Sequence, residues 1–199
     1  MQHEIYKTEG IIIKVKETGE ADKVLSVFTK DFGRLEIFAQ GVRKEKSKLN
    51  YHLGIYDYSR FCFVAGRERW RLTDAEKINS WNFIFNNNRK SKQISETTDV
   101  LEKLTQGQEK NERLWEVFLN IFIFLNTDKK QAKEEEEILK NFILLKILYF
   151  LGYADSALPC VASAIKTPYF NEEALKNGHK NLKDADSIIK SALKETSLI

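Results

Sequence analysis

The 199-residue chain changes its hydrophobic rhythm once, near Trp81, and the change separates two kinds of structure. Before Trp81, apolar residues fall in short β-branched and aromatic runs: Tyr6–Val15, Val24–Thr29, Leu35–Ala39, Ile55–Ala65 and Trp70–Asp74. Gly33, Gly41, Gly54 and Gly66 punctuate them. Such runs between glycines read as strands joined by tight turns, since glycine reaches positive φ at no steric cost. Alternation is clearest late in this half, with Trp70 and Leu72 on one face and Arg69 and Arg71 on the other. Five strands in about 80 residues predict a small barrel of the oligonucleotide-binding (OB) type.

After Trp81 the period becomes helical. Leu114, Phe118, Ile121, Phe122 and Leu125 share one helix face, and Ile138, Phe142, Leu145 and Tyr149 share another. Glu134 to Glu137 open the second of these helices, where negative charge complements the helix dipole, and Gly152 closes it. A weaker helix is predicted over Ser95–Leu104 and a terminal one over Asp184–Lys194. The polar stretch from Asn86 to Lys92 reads as a linker or as the exposed start of a helix. The expectation is an α+β chain, with a five-stranded barrel in residues 1–81 and an all-helical bundle in residues 82–199.

Composition narrows the function classes. With 42% hydrophobic and 31% charged residues the chain can bury a core and is not wholly disordered. Cys62 and Cys160 lie too far apart in sequence to suggest a disulfide framework, so a reducing cytoplasm is expected. The most apolar run, Phe142 to Leu151, is broken by Lys146 and falls well short of the ~20 residues that span a bilayer. No leader-like segment follows Met1-Gln2-His3-Glu4. There is no GxxxxGK[ST] loop, GxGxxG turn, GxSxG elbow or HExxH motif, and His3, His52 and His179 are dispersed. A binding protein is expected, not an enzyme.

Charge is more informative by position than in total. Net charge is only +3, but residues 34–71 hold nine Lys or Arg against four acids. A local basic excess is the electrostatic footprint of a polyanion partner. Arg43, Lys44, Lys46 and Lys48 crowd one glycine-led loop, and Arg67, Arg69 and Arg71 form a second basic strip. Together with Arg34 they are the candidate phosphate-contacting residues, giving affinity without sequence choice. Tyr56 and Tyr58 alternate onto one face of the preceding strand, where two roles compete: barrel core and base stacking.

The most specific stretch is Tyr6–Leu49. It runs through Tyr6-Lys7-Thr8-Glu9-Gly10-Ile11-Ile12-Ile13 and Gly19-Glu20-Ala21-Asp22-Lys23-Val24-Leu25-Ser26-Val27-Phe28-Thr29 to Phe32-Gly33-Arg34. It ends in Ala39-Gln40-Gly41-Val42-Arg43-Lys44-Glu45-Lys46-Ser47-Lys48-Leu49. This succession resembles the N-terminal domain of RecO, the bacterial recombination mediator family, and Leu151-Gly152-Tyr153 continues the likeness more loosely. The resemblance implies an OB-fold followed by a helical bundle, binding of single- and double-stranded DNA, and annealing of complementary strands. It also implies help in loading RecA onto SSB-coated DNA, with RecR and the acidic C-terminal tail of SSB as partners, and no ATP or metal consumed in annealing. Gly19, Glu20 and Asp22 match the family pattern but, being acidic, are assigned to the turn between two strands and not to DNA.

One departure is plain. Many members of the family carry two CxxC pairs that hold zinc, where this chain has Leu158-Pro159-Cys160-Val161-Ala162-Ser163 and no later cysteine. One thiolate cannot hold a tetrahedral zinc, so no metal is expected here. The subregion should instead pack through Leu158, Ile165, Tyr169 and Phe170. An SSB-tail groove in the helical half would need an apolar floor with basic edges; Phe142–Tyr149 is a candidate lining, with bundle core as the competing role. Two other classes remain open from the residues alone: an RNA-binding OB module that ignores SSB and RecA, and an interaction scaffold whose basic patch is incidental.

Overall fold

Strand β1 (Ile5–Thr18) is long enough to serve two neighbours, and the barrel is built around it. It pairs antiparallel with β4 (Tyr58–Ala65) along residues 5–11 and with β2 (Asp22–Thr29) along residues 10–18. β2 pairs in turn with β3 (Gly33–Ala39), and β4 with β5 (Trp70–Asn79). A short parallel contact, Ile37 with Trp70 and Phe38 with Arg71, closes the barrel in the order β1-β2-β3-β5-β4. The structure is a computed structural model and describes residues 4–105, 107–128, 132–166 and 184–195. The OB-type barrel followed by helices, an α+β chain, is the architecture expected from the change of period at Trp81.

Inside the barrel, alternate residues of each strand form one apolar core: Ile12, Leu25, Val27, Leu35, Ile37, Phe61 and Phe63 are all fully buried. A bulge between Ile12 and Lys14 breaks the alternation, and Ile11, Ile12 and Ile13 are all buried in succession. Two further aromatic groups pack in this unit. Tyr6, Phe32, Phe63 and Trp70 meet edge-to-face or stacked at 5.2–6.0 Å. Tyr58 stacks on Trp81 at 5.9 Å and lies 6.1 Å from Trp115, which also touches Phe28.

Trp115 comes from beyond the expected boundary. The chain forms two compact units, Met1–Trp81 with Gln106–Trp115, and Asn82–Thr105 with Glu116–Ile199. One division between the units falls after Trp81, and ten residues of the later sequence belong to the barrel unit. Gly33 shows how closely they sit: a Cβ there would collide with the Glu109 carbonyl oxygen. Lys110 adds an ion pair with Asp31 at 3.9 Å.

In the second unit α1 (Asn82–Phe85) and α2 (Asn88–Leu104) lead to α3 (Glu112–Leu125), whose first turn belongs to the barrel unit. Then come α4 (Lys133–Phe150), α5 (Pro159–Lys166) and α6 (Ala185–Glu195). α4 is central, packing on α2, α5 and α6. Residues 141–148 are buried all round it, as a central helix requires. Its C-terminus is a Schellman motif: Gly152 at φ 83° donates to Tyr149, and Tyr153 donates to the Leu148 carbonyl. α2 starts seven residues earlier than expected. Asn87 caps it by accepting from the Arg89 and Lys90 amides, and the polar residues that follow are buried through hydrogen bonds. Lys90 Nζ donates to the Thr127 carbonyl and Gln93 Nε2 to the Glu136 carbonyl, so the inner face of α2 carries polar residues that break the apolar period.

The expected packing around Cys160 is corrected. Leu158 is exposed, and the inner face of α5 is Cys160, Val161 and Ala164, with Ile165 half-buried. Tyr169 and Phe170 lie outside the described residues.

Lys146 is 2% exposed in α4, and burial pushes its ammonium down to about 8 from 10.5. The unfolded chain therefore binds more protons than the folded one between pH 8 and 10.5, so stability rises with pH across that window. Below pH 8 the full cost of burying the charge is present. Lys146→Met is expected to stabilise the chain by roughly 2–3 kcal/mol at pH 7. The gain should shrink toward pH 10.5, which paired urea titrations at pH 7 and pH 10 measure; a gain independent of pH would refute the assignment.

Candidate nucleic-acid interface

The two basic segments lie at different places on the barrel, and β3 connects them. On β3, Leu35, Ile37 and Ala39 point inward, while Arg34, Glu36 and Phe38 share the outward face. The β4–β5 turn brings Arg67 and Arg69 alongside. The Arg69 guanidinium lies over the Phe38 ring at 5.1 Å, and Arg71 Nη2 donates to Gln40 Oε1 at 2.8 Å. Arg34, Arg67 and Arg69 line one open concavity of about 490 Å³ with Glu36, Glu68 and Trp70. Arg71 extends the basic strip toward the loop that follows β3.

That loop holds Arg43, Lys44, Lys46 and Lys48, and local hydrogen bonds shape it. Gly41 takes φ 66°, and its amide donates to Asp22 Oδ1 at 2.6 Å. The Arg43 amide donates to the Ala21 carbonyl at 2.9 Å. Asp22 thus anchors the loop to the β1–β2 turn, the structural role expected of it. Of the four cations, Arg43 pairs with Glu17 at 3.1 Å. Lys44, Lys46 and Lys48 are exposed and make no ion pair among the described residues. Three ammonium groups so close in sequence repel one another, and an anion relieves that repulsion.

The tyrosine pair is corrected. β4 begins at Tyr58, so Tyr56 does not share its face. Tyr56 is 8% exposed at φ 65° in the turn closed by the Asp57 amide and the Gly54 carbonyl, and its own amide donates to the Ile12 carbonyl at 2.7 Å. The third position of such a turn needs positive φ, a demand that a tyrosine does not advertise. Tyr58 is half-buried against Trp81, and its hydroxyl donates to Glu9 Oε2 at 2.7 Å. Burial, then the Glu9 carboxylate, holds that phenol well above its usual range. Neither ring offers an open stacking surface. The aromatics beside the cations are Trp70 and Phe38, both half-buried. Phe38 was legible from its alternation with Arg34 and Glu36; the concavity beside Trp70 depends on the β4–β5 turn folding back, which no local pattern signals.

Residues 1–81 match the family Recombination protein O N terminal. The barrel belongs to the RecO N-terminal family. The likeness to RecO proteins extends into the helical part. The DNA repair protein RecO of Halalkalibacterium halodurans is 26% identical over 157 residues, 79% of this chain and 60% of that protein. That of Acetivibrio thermocellus is 27% identical over 169 residues, 83% and 65% respectively. That of Thermodesulfovibrio yellowstonii is 30% identical over 156 residues, 78% and 60%. The chain thus spans 60–65% of the length of these relatives.

Outside the RecO-type barrel, two other candidate sites are placed. Residues 142–148 of α4 are buried core and present no groove, while Tyr149 is half-buried. Cys160 is 2% exposed and burial raises its thiol above the ordinary value, which opposes the thiolate that zinc requires. One buried thiol with Ser163 three residues on does not fit a zinc centre.

The anchoring role of Asp22 can be measured. Asp22→Ala removes a charge-assisted hydrogen bond and is expected to cost about 1–3 kcal/mol. Amide exchange at Gly41 should quicken more than exchange in the β4 core; uniform quickening, or none, would contradict the anchor.

Proposed function

We propose that this chain is a nucleic-acid-binding factor of recombinational DNA repair that anneals complementary strands and helps load RecA onto SSB-coated DNA. The observation that carries the reading is the exposed Lys44–Lys46–Lys48 group on a RecO-type barrel, continued along β3 by Arg71, Arg69, Arg67 and Arg34. Its ligands are single- and double-stranded DNA held through phosphates. Its protein partners are RecR and the acidic SSB tail, with RecA engaged indirectly, and its place is the bacterial cytoplasm, at the nucleoid. Annealing of this kind is binding chemistry: it brings two strands together and relieves their repulsion, and it requires no catalytic group, nucleotide or metal. Among the described residues no helix is long and apolar enough to cross a membrane, in keeping with a DNA partner.

Neutralising Lys44, Lys46 and Lys48 together to Gln tests the interface. Binding to unrelated single strands should weaken, and the slope of log affinity against log salt should fall by about 2, at roughly 0.7 per phosphate contact. An unchanged slope would move the interface elsewhere. The repair reading is tested by following annealing of two labelled complementary oligonucleotides coated with SSB, without ATP, using SSB with and without its acidic tail. Tail-dependent acceleration is expected. Binding without acceleration, together with preference for RNA, would replace the reading with an RNA-binding OB module.

A further inference from the structure

The concavity beside Trp70 is chemically unlike the lysine loop. Its lining combines three arginines, Arg34, Arg67 and Arg69, with two carboxylates, Glu36 and Glu68, and one half-buried indole. A bare polyanion gains from the arginines but is repelled by the carboxylates. A nucleotide matches all three: phosphate for guanidinium groups, base N–H groups for carboxylate oxygens, and a base plane for the indole. At about 490 Å³ the space is of small-ligand size, too confined for a duplex and open enough to admit a strand. The indole is held in place by ring contacts at 5.2 Å with both Tyr6 and Phe63, so little side-chain freedom is lost when a base meets it. In a duplex the base edges are already paired and the faces already stacked, so only an unpaired base can use this lining.

We infer that the Trp70 concavity is a subsite for one unpaired base of a single strand, and that it makes the barrel distinguish single-stranded from duplex DNA. The inference rests on the nucleic-acid reading above and adds to it a division of labour. The lysine loop holds phosphates of either form, while the Trp70 subsite recognises the absence of pairing.

The three tryptophans make the test direct, because Trp81 and Trp115 are 2% and 3% exposed and only Trp70 lies open to a ligand. The full chain is titrated with a labelled single strand of about 20 nucleotides and with its blunt duplex, reading label anisotropy for binding and tryptophan emission for stacking. The single strand should quench emission; the duplex, at equal saturation, should not. Trp70→Leu keeps apolar volume against Tyr6 and Phe63, and should abolish the quench and weaken single-strand binding at least about fivefold. Duplex binding should change less than about twofold. Arg67→Gln, in an exposed turn, should weaken the single strand more than the duplex and carries the test if Trp70→Leu unfolds. Equal quenching by both forms, a quench that survives Trp70→Leu, or equal loss of both forms in either variant overturns the subsite while leaving the nucleic-acid reading intact. Failure of both oligonucleotides to bind at low salt overturns the subsite and the nucleic-acid reading together.

Discussion

The barrel turns on Gly10. Here β1 is paired on both flanks, standing opposite Ser59 of β4 and Thr29 of β2, and here one strand passes from one sheet to the other. A Cβ at this position would lie 2.6 Å from Val27 Cγ1 and 3.1 Å from the Phe28 carbonyl oxygen. Only a residue without a side chain lets β2 approach that closely, and the approach curls the sheet toward closure. Closure removes the unpaired strand edges that invite aggregation. It is achieved sparingly, since β3 meets β5 through Ile37 and Phe38 alone. Residues 34–36 of β3 lie outside that pairing, and the β4–β5 turn folds against them to form the arginine-lined concavity. The opening that supplies the candidate site is thus a consequence of how the barrel closes.

Much of this was legible in the residues, for a physical reason. Strand interiors repeat every second residue, so Leu35, Ile37 and Ala39 declare an inward face whatever lies around them. The β4 boundary was not legible, because Tyr56 sits at a positive-φ turn position without the glycine or asparagine that ordinarily marks one. The start of α2 was hidden because its buried positions are Lys90 and Gln93, made tolerable by the Thr127 and Glu136 carbonyls, which are distant in sequence. The docking of Gln106–Trp115 was hidden for a related reason: its partners, Gly33 and Asp31, precede it by more than seventy residues. Local pattern encodes what a segment buries, not which distant segment it meets.

The site divides along the same line. Charge clustering in sequence marked both basic segments, because like charges five residues apart lie within about 18 Å of one another in any fold. Which cations are compensated was not readable, since the compensating acids are non-local. Arg43 is offset by Glu17, and Arg60 by Glu9 at 3.7 Å and Glu76 at 3.0 Å. Setting these two aside leaves Lys44, Lys46 and Lys48 of the loop as exposed cations with no ion pair among the described residues, a sharper pattern than the raw count of charges gives.

Aromatic residues complete that division. The barrel unit buries Trp81 and Trp115 with Tyr58 and Phe28, where they serve packing, and the tyrosines with the strongest sequence pattern for stacking are engaged there or in a turn. Trp70 also packs, against Tyr6 and Phe63, but at a barrel end where closure is incomplete. The same side chain is therefore core on one side and ligand surface on the other. A position of that kind combines a plane fixed by packing with access from solvent, and alternation alone, which assigns each residue to one face, has no means of announcing it.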